Sequence, residues 1–257
     1  MKTITIRNIE IGTGIPKICA PIVGADKKEI LKQADALHAL PVDVAEWRAD
    51  WFEDVFDVAS FTKMLVSLRA SLGNIPLLMT FRTSAEGGRK AIGAEAYAGL
   101  VIKAAQTGLV DLVDVEMSAG DEIVGRIIHY AHAAKVFVVV SHHDFDKTPD
   151  KEEIVRWLCR MQGTGADILK IAVMPRCKKD VLTLLAATEE MVSEYADRPV
   201  ITMSMADTGA ISRLCGEVFG SSMTFGSAGR ASAPGQMDVR TLHSMLTTLH
   251  KVLNNAE

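Results

Sequence analysis

DILKIAVM, residues 167–174, is the stretch on which the fold turns. Its aliphatic and β-branched residues predict a strand over Asp167–Met174. Successive strand side chains face opposite ways, so Ile168, Lys170, Ala172 and Met174 share one face and Leu169, Ile171 and Val173 the other. The branched apolar set belongs under helices. Lys170 is then turned toward whatever the other face encloses.

Outward from this stretch the same rhythm repeats: a short β-rich run ending in polar residues, then a longer segment with helical spacing of apolar residues. Eight such units can be drawn, with strands at Lys17–Gly24, Val42–Arg48, Pro76–Arg82, Asp111–Met117, Lys135–His143, Asp167–Met174, Pro199–Met205 and Ser222–Ser227. Amphipathic segments such as Lys27–Leu40, Ala94–Thr107, Lys151–Gln162 and Val181–Tyr195 lie between them, and Val239–Leu253 follows the last. Strands that alternate with helices form parallel sheets, and eight in series predict closure into a (β/α)8 TIM barrel. An open doubly wound sheet would carry an early glycine-rich phosphate turn, and no G-x-G-x-x-G follows the first strand. The opening MKTITIRNIEIGTG alternates apolar and polar residues and reads as a β-hairpin. No linker or compositional break divides residues 1–257, a length that suits one barrel domain of about 250 residues.

Apolar residues make up 48%, charged residues 23%, and the net charge is -4, the profile of a soluble globular protein. Lys and Arg are scattered and outnumbered by acids, which argues against a nucleic-acid partner. No apolar run approaches the ~18 residues of a membrane span, and the N-terminus lacks a signal-peptide pattern. Cys19, Cys159, Cys177 and Cys215 are far apart and read as reduced thiols of a cytoplasmic enzyme.

Strand parity places charge on the inner face of one strand after another. Val44, Glu46 and Arg48 fall together, as do Thr80 with Arg82, Asp114 with Glu116, and Val139, Ser141 and His143. Most of these charges sit near the C-terminal strand ends, where barrel active sites lie. Arg48, Arg82 and Lys170 balance Glu46, Asp114 and Glu116, with His143 as a further titratable member. Such a set can pair internally or bind a small, polyhydroxylated anion.

Burial disfavours the ammonium form of Lys170, and Arg48 and Arg82 would add to that, leaving a nucleophilic amine. The plain alternative is an ion pair with Glu46 or Glu116. His143 favours the first reading, because imine chemistry needs a proton shuttle. A metal held by His142, His143 and Asp144 is disfavoured, since adjacent strand residues face opposite ways. His142 therefore reads as a packing or loop residue. Glu86 follows Arg82 in a loop with Gly87 and Gly88 and can reach and orient His143, or is simply a solvated acid. Arg213, early in the helix expected after the seventh strand, is an anion clamp or a surface residue. Met203 and Met205 share a face and serve as core or as pocket wall. The loop GSAGRASAPGQ, residues 226–236, is an ordinary connection or a mobile lid.

Taken in order, EWRAD from Glu46, MTFRTSAEGG around Arg82, SHHDF at His142, ADILKIAVMP around Lys170, ITMSMADTGAISRL around Met203 and FGSAGRASAPGQ from Phe225 resemble type I 3-dehydroquinate dehydratase. The resemblance covers nearly the whole chain. It implies that Lys170 forms an imine with the ring ketone of 3-dehydroquinate, that His143 is general acid and base, and that Glu86 orients His143. It further implies that Glu46, Arg48 and Arg82 hold ring hydroxyls and organise the imine pocket. Arg213, Ser232 and Gln236 would hold the carboxylate end, with Met203, Met205 and Phe225 lining the pocket. The family uses neither cofactor nor metal and consists of cytoplasmic enzymes, usually homodimers. The chain departs from it at Pro21, where similar enzymes often carry serine, and at His142, where asparagine is common. A class I aldolase and a non-catalytic, carboxylate-binding barrel are the two alternatives that the residues leave open.

Overall fold

The computed structural model describes residues 3–229 and 232–254. An antiparallel hairpin, β1 (Ile4–Ile6) and β2 (Ile9–Ile11), precedes eight parallel strands. These are β3 (Lys17–Ile22), β4 (Val44–Arg48), β5 (Leu77–Thr80), β6 (Leu112–Glu116), β7 (Phe137–Asp144), β8 (Ile168–Val173), β9 (Val200–Ser204) and β10 (Met223–Phe225). They run side by side in chain order, with β10 paired back onto β3. The ring closes between β9 and β10, where Ser222 N–H donates to Val200 O at 2.8 Å. The fold is the expected (β/α)8 barrel with its N-terminal hairpin.

The outer ring comprises α1 (Lys27–Ala36), α2 (Val58–Leu72), α3 (Ala94–Gln106), α4 (Asp121–Ala133), α5 (Lys151–Gly163), α6 (Lys178–Glu190), α7 (Gly216–Phe219) and α8 (Val239–Asn254). Local chemistry sets several starts. Asp26 accepts from Glu29 N–H and Asp57 from Ser60 N–H, each satisfying an orphan donor of the first turn. In α5, Glu152 and Glu153 in the first turn and Arg160 in the last complement the helix dipole.

Two apolar cores result. One lies between the outward strand faces and the helices and includes Trp47, Phe81, Leu169, Ile171 and Val173. The other lies inside the barrel: Cys19, Val44, Leu78, Leu112, Val139, Ile168, Ile201 and Met223 contribute one side chain from each strand. Ile6 and Ile11 of the hairpin join this inner layer and are buried, so the hairpin plugs the end of the barrel opposite the strand C-termini.

Beyond shifts of a few residues at element ends, two of the expected helices take a different form. The expected helix Val181–Tyr195 begins earlier, at Lys178, and widens into a π-helical turn over Met191–Tyr195. After β9 the expected helix is replaced by a 3-10 turn, Ala210–Arg213, and the four-residue α7. Ser212 explains this: its Oγ donates to Gly209 O at 2.7 Å and accepts from Ser204 N at 2.9 Å. These side-chain bonds pull the segment back under the end of β9 and compete with a regular helix. Arg213 therefore sits at the end of a 3-10 turn and not at a helix N-terminus. Residues 230 and 231 of the final loop lie outside the described residues.

Candidate active site

Above the apolar inner layer the same strands turn polar. Lys170 is 4% exposed, and its Nζ lies 3.5 Å from Asp114 Oδ2, 3.9 Å from Glu46 Oε1 and 4.4 Å from the centroid of the Phe225 ring. The carboxylate beside it is thus Asp114, with Glu46, whereas Glu116 is engaged elsewhere. Arg82 reaches Asp114 Oδ1 at 2.7 Å and Glu116 Oε1 at 2.8 Å, and it also donates to Ser141 Oγ at 3.1 Å. Burial opposes the charge on Arg82, but Asp114, Glu116 and Glu86 together hold its proton well above the ordinary range. Arg48 forms a bidentate pair with buried Asp50, at 2.8 and 2.9 Å. Both guanidinium groups that were expected to press on Lys170 are therefore matched by carboxylates.

His143 comes to the rim on β7, two residues beyond Ser141 on the same face. Its Nδ1 lies 2.9 Å from Glu86 Oε2, and its backbone N–H donates to the same oxygen at 3.1 Å. Ser118 Oγ donates to the other oxygen, Oε1, at 2.7 Å. Burial pushes the Glu86 carboxyl up, yet the imidazoles of His142 and His143 and the charge of Arg82 more than offset it and hold it far below the usual range. Burial and the nearby Arg82 push His143 down to about 3, against a smaller upward pull from Glu86. The imidazole is neutral, and a carboxylate partner can only accept, so Nδ1 carries the proton. Nε2 is left as a free base.

The loop that delivers Glu86 depends on Gly88, where an added Cβ would stand 1.8 Å from Arg82 O. His142 stacks on Trp157, with centroids 4.4 Å apart, and its Nδ1 lies 3.5 Å from Glu86 Oε1, at the limit of hydrogen-bond reach.

Arg213 lines the same mouth, is 2% exposed and has no carboxylate partner among the described residues. It donates to Pro234 O at 3.1 Å, approaches Met203 Sδ at 3.7 Å, and leaves Nε without a hydrogen bond. Burial alone pushes its guanidinium down to about 10. A buried cation of this kind calls for an anion. The final loop crosses above it: Ser232 N–H donates to Gln236 Oε1 at 2.9 Å, and Gln236 Nε2 donates to Ser232 Oγ at 3.2 Å. Gly235 settles against the turn that follows β9, where a Cβ would lie 2.3 Å from Ala206 O.

All twelve candidate residues, Lys170, His143, Glu86, Glu46, Arg48, Arg82, Met203, Met205, Arg213, Phe225, Ser232 and Gln236, line one cavity. Phe145, Ala172 and Ala233 line it as well and were not anticipated. Asp50, Asp114 and Ser118 do not line it but hold the residues that do. Asp50 could have been noticed from the R-x-D spacing of EWRAD. Among the described residues, no group of three His, Cys, Asp or Glu side chains is placed to hold a metal ion.

Residues 18–252 match the family model of type I 3-dehydroquinase. The chain belongs to that family. A 3-dehydroquinate dehydratase of Clostridioides difficile is 52% identical over 98% of this chain and 99% of its own. One from Escherichia coli is 51% identical over 98% and 100%. The solved type I 3-dehydroquinate dehydratase of Clostridium difficile, carrying covalently modified comenic acid, superposes with a TM-score of 0.95 over 98% of this chain and 99% of that one. The Geobacillus kaustophilus enzyme, 39% identical, gives 0.94 over 97% of each. Membership of the type I 3-dehydroquinases sets aside the aldolase and the non-catalytic barrel.

Proposed function

We propose that this chain dehydrates 3-dehydroquinate to 3-dehydroshikimate, in the shikimate pathway, through an imine at Lys170. The observation that carries the assignment of residues is what one cavity brings together: an amine, a neutral imidazole, and a buried guanidinium that has no counter-ion among the described residues. Arg213, with Ser232 and Gln236 folding over, takes the substrate carboxylate. Glu46 faces the ring hydroxyls, with Arg48 held by Asp50 and Arg82 held by Asp114 and Glu116 in the same site.

The amine of Lys170 adds to the ketone carbon, and loss of water gives the protonated imine. Nε2 of His143 removes a proton from the carbon between the imine and the tertiary alcohol. The released electron pair moves into the imine and forms an enamine, which avoids a free carbanion. The enamine then expels the tertiary hydroxyl, which takes the proton back from His143 and leaves as water. Glu86 keeps the imidazole in the tautomer needed for the first transfer and stabilises the imidazolium that results. One molecule of water hydrolyses the product imine and replaces the one lost at its formation. One group serving both transfers places the departing proton and hydroxyl on the same ring face.

The test is intact-protein and peptide mass spectrometry after incubation with 3-dehydroquinate and borohydride. An adduct on Lys170 that needs both reagents is expected. Dehydration without any adduct would sink the imine. His143→Ala should still trap but stall at elimination and release. A cytoplasmic homodimer is part of the proposal through family likeness, and light scattering on the purified protein reads the dimer directly.

A further inference from the structure

We propose that Asp114 is the counter-ion of the Lys170 imine, a role distinct from that of Glu46. The inference rests on the imine reading above and adds a residue to it. Both carboxylates approach Nζ, Asp114 Oδ2 at 3.5 Å and Glu46 Oε1 at 3.9 Å, but they approach from different places. Glu46 lines the cavity, and its Oε1 already accepts from Thr80 Oγ1 at 2.9 Å. It faces the space that substrate fills. Asp114 is fully buried, does not line the cavity, and meets Lys170 from the inner face of β6.

The two oxygens of Asp114 are divided. Oδ1 accepts from Arg82 at 2.7 Å and from Ser141 Oγ at 2.8 Å, which fixes the carboxylate plane. Oδ2 has only the Lys170 amine as a hydrogen-bond partner among the described residues. Substrate arriving from the mouth can displace contacts on the cavity side but not this one. Once the imine forms, its nitrogen keeps a single N–H and a formal positive charge. Oδ2 is the acceptor already in place for both. A fixed anion beside the protonated imine favours the charged form, which is the form that draws electrons from the adjacent carbon. A backing cation, Arg82, keeps Asp114 ionised without competing for Oδ2.

The experiment follows trapping by cyanoborohydride, which reduces a protonated imine and leaves a neutral one alone, at saturating 3-dehydroquinate across pH. Wild type defines the reference; if it gives no Lys170 adduct, the imine reading itself falls. With that adduct in hand, Asp114→Asn is expected to lose trapping at a lower pH than wild type and to lower kcat by about 10²-fold, with KM little changed. Trapping that persists to the wild-type pH limit would overturn the assignment. Should Asp114→Asn not fold, Glu46→Gln decides. Removing that charge should raise KM yet leave the pH limit of trapping where it is. A limit that moves with Glu46→Gln would make Glu46 the counter-ion and sink the role given to Asp114.

Discussion

On β8, Ile168 and Lys170 stand two residues apart on the same inward face, 0% and 4% exposed, and live under opposite rules. Ile168 belongs to a layer of eight apolar side chains, one from each strand, sealed below by Ile6 and Ile11. Lys170 belongs to a layer in which carboxylates, guanidinium groups and an imidazole are held within hydrogen-bond reach of one another. The lower layer gains from removing apolar surface from water, which needs no particular partner. The upper layer has its charges desolvated, and Arg48, Arg82 and Lys170, though not Arg213, recover that cost through specific pairs. Stability is thus concentrated below and chemistry above, within the length of a few residues.

The sharpest way to separate the layers is Lys170→Ala. Turnover should drop to background while the circular dichroism spectrum and the cooperativity of unfolding remain those of wild type, because Asp114 keeps Arg82 and Ser141. Residual activity near wild type would end the imine proposal. Next comes the mirror experiment, Ile168→Ala. Deleting a fully buried aliphatic side chain from a sealed layer should cost about 2–5 kcal/mol in urea unfolding, with kcat nearly intact at low temperature. If kcat collapses instead, the two layers are mechanically one.

Much of this division was legible in the sequence, and strand parity explains why. Alternation assigns Lys170, Glu46, Arg82, Asp114 and His143 to the inner face without any knowledge of the ring. It cannot say which of them are neighbours across the ring, because that depends on barrel stagger. Alternation therefore offers Lys170 a pair with Glu46 or Glu116, whereas the structure gives Glu116 to Arg82 and Thr83 and sets Asp114 beside the amine with Glu46. Asp50 escaped notice because it lies past the end of β4, where alternation stops and a 3-10 turn directs the carboxylate back onto Arg48. The hairpin was readable as a hairpin but not as a plug, since its burial depends on the far end of the barrel. The shortened helix after β9 hinged on Ser212 reaching back to the strand, a bond invisible to periodicity.

Arg213 tests whether the upper layer sacrifices stability for binding. Substitution by methionine removes a buried cation that has no carboxylate partner among the described residues. The loss in kcat/KM should be about 2–5 kcal/mol and fall mainly on KM. The melting temperature of the free protein should hold or rise, since an uncompensated charge leaves the interior. A clear fall in melting temperature would mean that Arg213 is a structural strut and not a clamp kept ready for substrate.

The smallest effect, and the one that addresses the upper layer most directly, is the pH dependence contributed by His143. Its ordinary value is 6.5, and burial with Arg82 brings it to about 3 in the folded protein. Above the ordinary value neither folded nor unfolded chain binds a proton at this site, and its full contribution to stability is present. As pH falls below it, the unfolded chain takes up a proton that the folded one refuses, so stability is lost until the folded value is passed. Urea midpoints of wild type and His143→Asn, compared from 6.5 down to about pH 5, read this slope above the range in which carboxylates ordinarily titrate. Wild type should lose stability with falling pH more steeply than the variant. Parallel slopes would mean that the folded imidazole takes up its proton at the ordinary value, and that burial and Arg82 do not hold it neutral below that value.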